Sequence, residues 1–322
     1  MRSGPRTALS LAAFVAVAAP ACAQDFPARP IKAIVALSPG GTSDVFIRAL
    51  GEELRKRWGQ PLIVENRPGG NTNIGGKACA EAPNDGYTIC ILPGETLAFN
   101  AFQYKRVPYN AEKDFAPITN LFYSLSALVA NSDLKLKTIE DLVTLTRQKP
   151  RTLSYMAPSV PLALFMERLN RTRDIDLVRV PFRGGGDTAN AILSGSTPIA
   201  FVGISNFISH IQAGSMTALA VDHSERVPLL PEVPTLTELG YPDNPTRAFF
   251  GLVAPSGTPK PIIEKIRDET ARIIADPEFR KRHMVDRGLA PVGDTPEQFG
   301  AFLAKYRAAA AEVVKEAGIE PQ

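Results

Sequence analysis

The chain has 322 residues, 44% of them hydrophobic and 21% charged, an ordinary balance for a globular protein with room for two domains and a well-buried core. Its formal net charge of +3 is too small a basic excess for a nucleic-acid partner. Beyond the first two dozen residues no run is long and apolar enough to cross a bilayer.

Residues 1–23 stand apart. Arg2 and Arg6 give a basic start, residues 8–19 are apolar and small, and Ala21-Cys22-Ala23 satisfies the small-x-small cleavage rule of an export signal. A lipoprotein box around Cys22 is the weaker reading, because the expected leucine is missing. Cleavage removes two arginines and leaves 34 basic and 33 acidic side chains. The mature cysteines are then Cys79 and Cys90. In an oxidising compartment they can form a disulfide, and two buried free thiols are an equally good reading.

Residues 31–37 are apolar apart from Lys32 and predict a strand. Ser38-Pro39-Gly40-Gly41-Thr42-Ser43-Asp44 follows, and Ile47, Leu50, Leu54 and Trp58 then mark one stripe of a helix ending near Gly59. A glycine turn at a helix N-terminus exposes unpaired N–H groups at the positive end of the helix dipole, a place built for an anion. The plainer alternative is a turn capped by its own Thr42 or Ser43. Residues 61–65 predict a second strand, and the Asn66–Asn71 turn opens a helix to about Ala82. Residues 87–92 form a third strand, followed by Pro93-Gly94-Glu95-Thr96 and a short helix. Three such units predict a parallel α/β sheet whose turns converge beyond the carboxyl ends of its strands.

From about Leu121 the alternation restarts. Strands are expected at 127–130, 152–156, 177–180, 199–202 and 218–221, with helices at 138–148, 162–169 and 187–193. This block carries its own glycine turn, Pro181-Phe182-Arg183-Gly184-Gly185-Gly186. Pro228, Pro231, Pro234, Pro242 and Pro245 mark a connector. A strand at 249–254 follows, then helices, one with Ile262, Ile266, Ile273 and Ile274 on a face. Thr295-Pro296-Glu297-Gln298 is a capping box opening a helix that ends at Gly318. The economical arrangement returns this last block to the first domain. It leaves two lobes joined by two crossings, with a hinge and a cleft.

Catalytic machinery is scarce. His210, His223 and His283 form no HExxH spacing, no G-x-S-x-G elbow is present, and no histidine adjoins either mature cysteine. Gly184-x-Gly186-x-x-Ala189 formally matches a dinucleotide fingerprint, but Pro181-Phe182-Arg183 separates strand from glycines and the acidic partner is missing. No cofactor and no metal are expected. Asp44 suits the helix dipole by about 0.3–1 kcal/mol, and it could instead meet a cationic group on a ligand.

Pro39-Gly40-Gly41-Thr42-Ser43-Asp44, Val64-Glu65-Asn66-Arg67-Pro68-Gly69-Gly70, Asp85-Gly86-Tyr87-Thr88, Asp114-Phe115-Ala116-Pro117 and Val180-Pro181-Phe182-Arg183-Gly184-Gly185 occur in order. Leu219-Ala220-Val221, Val233-Pro234-Thr235 with Glu238-Leu239-Gly240, and Gly251-Leu252-Val253-Ala254-Pro255 complete the set. Across nearly the whole mature chain this resembles the Bug-type periplasmic receptors of tripartite tricarboxylate transporters. The resemblance implies an α/β, type II-like Venus flytrap with two parallel or mixed sheets and an interlobe cleft. Residues 24–124 and 247–322 would form one lobe and 125–246 the other. It implies a monomeric, non-catalytic periplasmic receptor that delivers a small carboxylate to membrane subunits; a sensor for a membrane signalling partner, or a secreted hydrolase, are the alternatives.

By motif match, Pro39, Gly40, Gly41, Ser43 and Asp44 would be first-lobe contacts, with Thr96 beside them. Phe182, Gly184 and Gly185 would be second-lobe contacts, and Ser159 a further one. The chain departs from the family pattern at Met156-Ala157-Pro158-Ser159-Val160-Pro161, which lacks the usual glycine and histidine. Phe182 stands for a usual tyrosine and Pro198 for a usual aspartate.

Overall fold

Alternation along β1 (Ile31–Val35) turns Ile31, Ala33 and Val35 toward one apolar cluster and Ile34 toward another, so this strand is buried on both faces. The computed structural model that shows this describes residues 26–180 and 185–321. The export signal and positions 181–184, with Phe182 and Gly184, lie outside the described residues.

The first three units run β1, α1 (Thr42–Trp58), β2 (Leu62–Asn66), α2 (Asn73–Ala80), β3 (Thr88–Pro93) and, after a π-helical turn at Glu95–Phe99, α3 (Asn100–Gln103). β2, β1 and β3 are parallel neighbours, as the repeated strand–turn–helix pattern requires. The sheet then departs from a parallel one. β10 (Phe249–Pro255) lies antiparallel between β3 and β4 (Phe115–Ser124), and β11 (Leu289–Pro291) closes the edge, giving the order β11-β4-β10-β3-β1-β2.

The sequence reading placed no strand at 115–120. Asp294 explains the missing pattern: its carboxylate accepts from the Asn120 amide at 2.7 Å and from the Thr119 hydroxyl at 3.1 Å. Two polar residues are thus buried where alternation would require apolar ones, and two register shifts against β10 disturb the period further.

The second sheet has the order β7-β6-β8-β5-β9, from β5 (Ser126–Asn131), β6 (Ser154–Met156), β7 (Val178–Arg179), β8 (Ile199–Gly203) and β9 (Met216–Asp222). Its helices are α4 (Ile139–Gln148), α5 (Val160–Arg173), α6 (Gly185–Leu193) and α7 (Ile208–Gln212). α4 opens on a capping box made by Thr138 and Asp141. Apolar clusters lie on both faces of this sheet as well.

The chain passes from the first sheet to the second between Ser124 and Ser126 and returns between Asp222 and Phe249. The two crossings lie side by side, the Ser124 amide donating to the Ala248 carbonyl at 2.8 Å. α8 (Lys260–Ala275), α9 (Pro277–His283) and α10 (Pro296–Glu316) finish the first half; Thr295 and Gln298 form the expected capping box. α10 also touches the second sheet's half, where the Arg168 guanidinium grips the Glu316 carboxylate and Val160 packs against the first half's core.

Cys79 on α2 and Cys90 on β3 form a disulfide, both fully buried. Its sequence separation is 11. Closing so short a loop stabilises the fold by about 3 kcal/mol in the chain-entropy account. This resolves the alternative between a bridge and two free thiols.

Candidate functional site

β1 ends under the glycine turn, and the turn is held from below. Asp44, 3% exposed, accepts from the Gly40 amide at 2.9 Å, from Arg48 Nε at 3.1 Å and from Asn66 Nδ2 at 3.0 Å, while Arg48 also closes an ion pair at 2.9 Å. Asn66 Nδ2 donates in addition to the Leu37 carbonyl. Burial pushes the Asp44 carboxyl up, but the Arg48, Gly40 and Asn66 hydrogen bonds outweigh it and hold the group below its ordinary value. With all these partners, Asp44 fixes the backbone of the turn. Gly40 takes φ +78°, the left-handed conformation that admits the reversal.

A consequence can be measured. Asp44→Asn loses the charge-assisted bonds to Arg48 and costs about 1–2 kcal/mol, discounted because Arg48 is half exposed. The folded carboxyl lies below its unfolded value near 3.8, so its stabilisation is present above that pH and disappears as pH falls through the lowered value. Urea midpoints of wild type and variant should differ at neutral pH and converge in acid. A constant gap across that range would rule out the ion pair as the cause.

The amide end of α1 is open. Gly41 is its N-cap and no side chain caps it; among the described residues no acceptor sits on the Thr42, Ser43 or Asp44 amides. Ser43 is 1% exposed, and among the described residues its hydroxyl has no partner. This excludes the plainer reading in which Thr42 or Ser43 caps the turn. Ser38, Pro39 and Gly40 are exposed.

Leu37, the residue before this turn, lines a cavity of about 410 Å³, a size suited to a small molecule. Leu37, Asn71, Thr72, Glu95 and Phe99 line it from the first half; Ser124, Ser126, Ala248 and Phe250 from the crossings; Ser159, Val160 and Leu162 from the second half. Ser159 is the N-cap of α5, again without a side-chain cap, and Pro161 has no N–H to satisfy, so a second helix presents its amide end to the same space.

The sequence-derived candidates therefore divide. Ser159 lines the cavity, whereas Pro39, Gly40, Gly41, Ser43 and Asp44 are not among its lining residues, Leu37 being the nearest residue of that segment that is. Thr96 lies 1% exposed with its hydroxyl donating to Thr72 Oγ1 at 2.7 Å, a positioning bond. Gly185 begins α6, directly after the undescribed 181–184 segment.

Asn71, Thr72 and Glu95 were not singled out by the sequence. Asn71 and Thr72 have φ of 49° and 69°, left-handed values rare for a β-branched residue and often found at binding sites. Buried Asn100 holds them there, donating to the Asn71 carbonyl at 2.8 Å and accepting from Asn71 Nδ2 at 2.9 Å. The available signal was the Gly69-Gly70-Asn71 turn after the second strand. A larger hollow of about 590 Å³ lies on the other side of α5, against the proline connector and α10, and among the described residues no glycine turn lines it.

Among the described residues no cluster of His, Cys, Asp and Glu could hold a metal, and no helix is long and apolar enough to cross a membrane.

Comparison with known proteins gives a consistent picture. The model of the family described as the tripartite tricarboxylate transporter family receptor matches residues 46–319. BugT of Bordetella pertussis is 30% identical over 305 residues, covering 94% of this chain and 93% of BugT. The structure of R. palustris Rpa4515 with adipate superimposes with a TM-score of 0.83 at 27% identity, over 92% of this chain and all of that one. MatC of Rhodopseudomonas palustris with bound malate gives a TM-score of 0.76 at 26% identity, over 90% of this chain and all of MatC.

Proposed function

This chain belongs to the tripartite tricarboxylate transporter receptor family, and from that premise we propose that its cleft closes on a small organic carboxylate for delivery to a tripartite transporter. A periplasmic solute-binding receptor has to recognise its ligand without transforming it. The reading rests on one observation above all: the amide end of α5 at Ser159, without a side-chain cap, lines a cavity that Leu37, four residues before the uncapped α1 N-cap Gly41, lines from the other half. Such ends attract a carboxylate with no cationic side chain present. Adipate in Rpa4515 and malate in MatC are ligands of this chemistry.

In this proposal the Pro39-Gly40-Gly41 backbone and the Ser43 hydroxyl serve the first half, with Asp44 and Thr96 behind them. Ser159, Phe182, Gly184 and Gly185 serve the second. Residues 24–124 and 247–322 move as one lobe against 125–246. The chain works as a monomer in the periplasm once residues 1–23 are removed, and its transporter's membrane subunits are its partners. The Cys79–Cys90 bridge suits an oxidising compartment. Two or three charge-assisted hydrogen bonds at about 1.5–3 kcal/mol each, with lobe closure, support affinity near the micromolar range.

Thermal-shift screening of the mature protein against mono- and dicarboxylates, aromatic acids and amino acids should yield one carboxylate class that raises the melting temperature. Calorimetry should then show one site per chain and no turnover. Stabilisation only by compounds lacking a carboxylate would overturn the reading.

A further inference from the structure

Glu316 is the last residue of α10, where the helix dipole disfavours a carboxylate. Arg168 of α5 answers it. Its Nε donates to Oε1 at 2.7 Å and a terminal nitrogen donates to Oε2, the two-pronged geometry in which a guanidinium holds a carboxylate best. These bonds keep the Glu316 carboxyl below its ordinary value. α10 belongs to the half built on the first sheet and α5 to the half built on the second, so the pair ties one half to the other. Among the described residues one other ion pair does something similar, Arg247 to Asp222 at 3.4 Å, but it sits on the return crossing, close to any pivot.

Beneath the Arg168–Glu316 pair the halves are not packed. The hollow of about 590 Å³ is lined by Leu164, Phe165 and Leu169 on the α5 side and by Ala309 and Val313 on the α10 side. Phe165 and Leu169 belong with the second half's apolar core, and Val313 packs against the first half's. A permanent interface would press these surfaces together; a gap between them forgoes their dispersion contacts. The link above the gap is itself of a kind that breaks. Its side chains are 42% and 41% exposed, so water and salt compete for both charges.

We propose that Arg168 and Glu316 form a clasp that sets the balance between a conformation with α5 and α10 drawn together and one with them apart. The inference rests on the lobe motion of the proposed function and adds the contact that resists it. An apolar seam at this place would hold nearly every molecule in one conformation. A screened surface pair shifts the balance only a few-fold, which leaves both conformations within reach of a ligand.

The test measures the distance between spin labels on the two halves of the mature, ligand-free protein. Lys56→Cys and Lys137→Cys carry the labels, both positions being exposed. Arg168→Met and Glu316→Gln should each raise the ratio of the wider to the narrower population at least about threefold. About 1 M potassium chloride should do the same to wild type and little to either variant, because the charges it screens are already gone. Exchanging the charges, Arg168→Glu with Glu316→Arg, should restore the original ratio. Wild-type salt dependence alone decides the matter should a variant fail to fold.

A ratio that neither substitution nor salt moves would overturn the clasp, as would a salt response equally large in wild type and Arg168→Met. Populations that shift with a carboxylate from the screen but ignore the pair would overturn it while leaving the receptor reading in place. A single fixed distance under every condition would remove the lobe motion, and the clasp with it.

Discussion

Gly41→Leu should raise the Kd for the cognate carboxylate by at least about 100-fold, equivalent to roughly 2.7 kcal/mol, while the thermal midpoint stays within a few degrees of wild type. The α1 amide end has no other cap, and a Cβ at Gly41 would already stand 3.3 Å from the Ser38 carbonyl oxygen. A leucine there must displace that carbonyl and occupy the approach to the Thr42 and Ser43 amides. The fold tolerates this because Gly41 is part-exposed and belongs to none of the apolar clusters. Calorimetry with the ligand found by screening, beside a melting curve, measures both. Unchanged affinity in a folded variant would show that the α1 turn does not hold the carboxylate.

The largest effect on stability is expected at Gly75. A Cβ there would lie 2.5 Å from the Ala36 Cα and 2.6 Å from its Cβ, so Gly75→Ala forces α2 away from the end of β1. No side-chain rotation relieves a clash with backbone. The cost should reach roughly 3 kcal/mol, read as a lower urea midpoint. Because α2 also carries Asn73, whose carboxamide oxygen accepts from Asn100 at 2.9 Å and Tyr109 at 2.8 Å, ligand affinity should fall with stability. Gly300→Ala is the control: its nearest neighbour would be 3.9 Å away, inside α10, and the change should be neutral or slightly stabilising. Equal effects at the two glycines would refute close packing as the cause.

What the sequence disclosed follows from how local each device is. The strand, turn and stripe around Gly40–Trp58, and the Thr295–Gln298 box, are written within a few residues and read directly. β4 was hidden because Thr119 and Asn120 answer to Asp294, some 175 residues away. Asp44 could be read either as a cap or as a ligand contact, since its choice depends on Asn66, a residue of another strand. Glu95 read as one residue of a loop. Its place on the cavity wall is set by the π-helical turn that follows β3, which no short motif announces.

The adjacent crossings at Ser124 and Ala248 also have a mechanical consequence. In the proposed lobe motion they would be the short edge about which one half swings, and they border the cavity proposed for the ligand. A guest seated beside a pivot works on a short lever. One extra methylene wedged there would be amplified at the far rims, where a membrane partner would dock. On that proposal the molecule would be a gauge, reporting the length of its cargo as an angle.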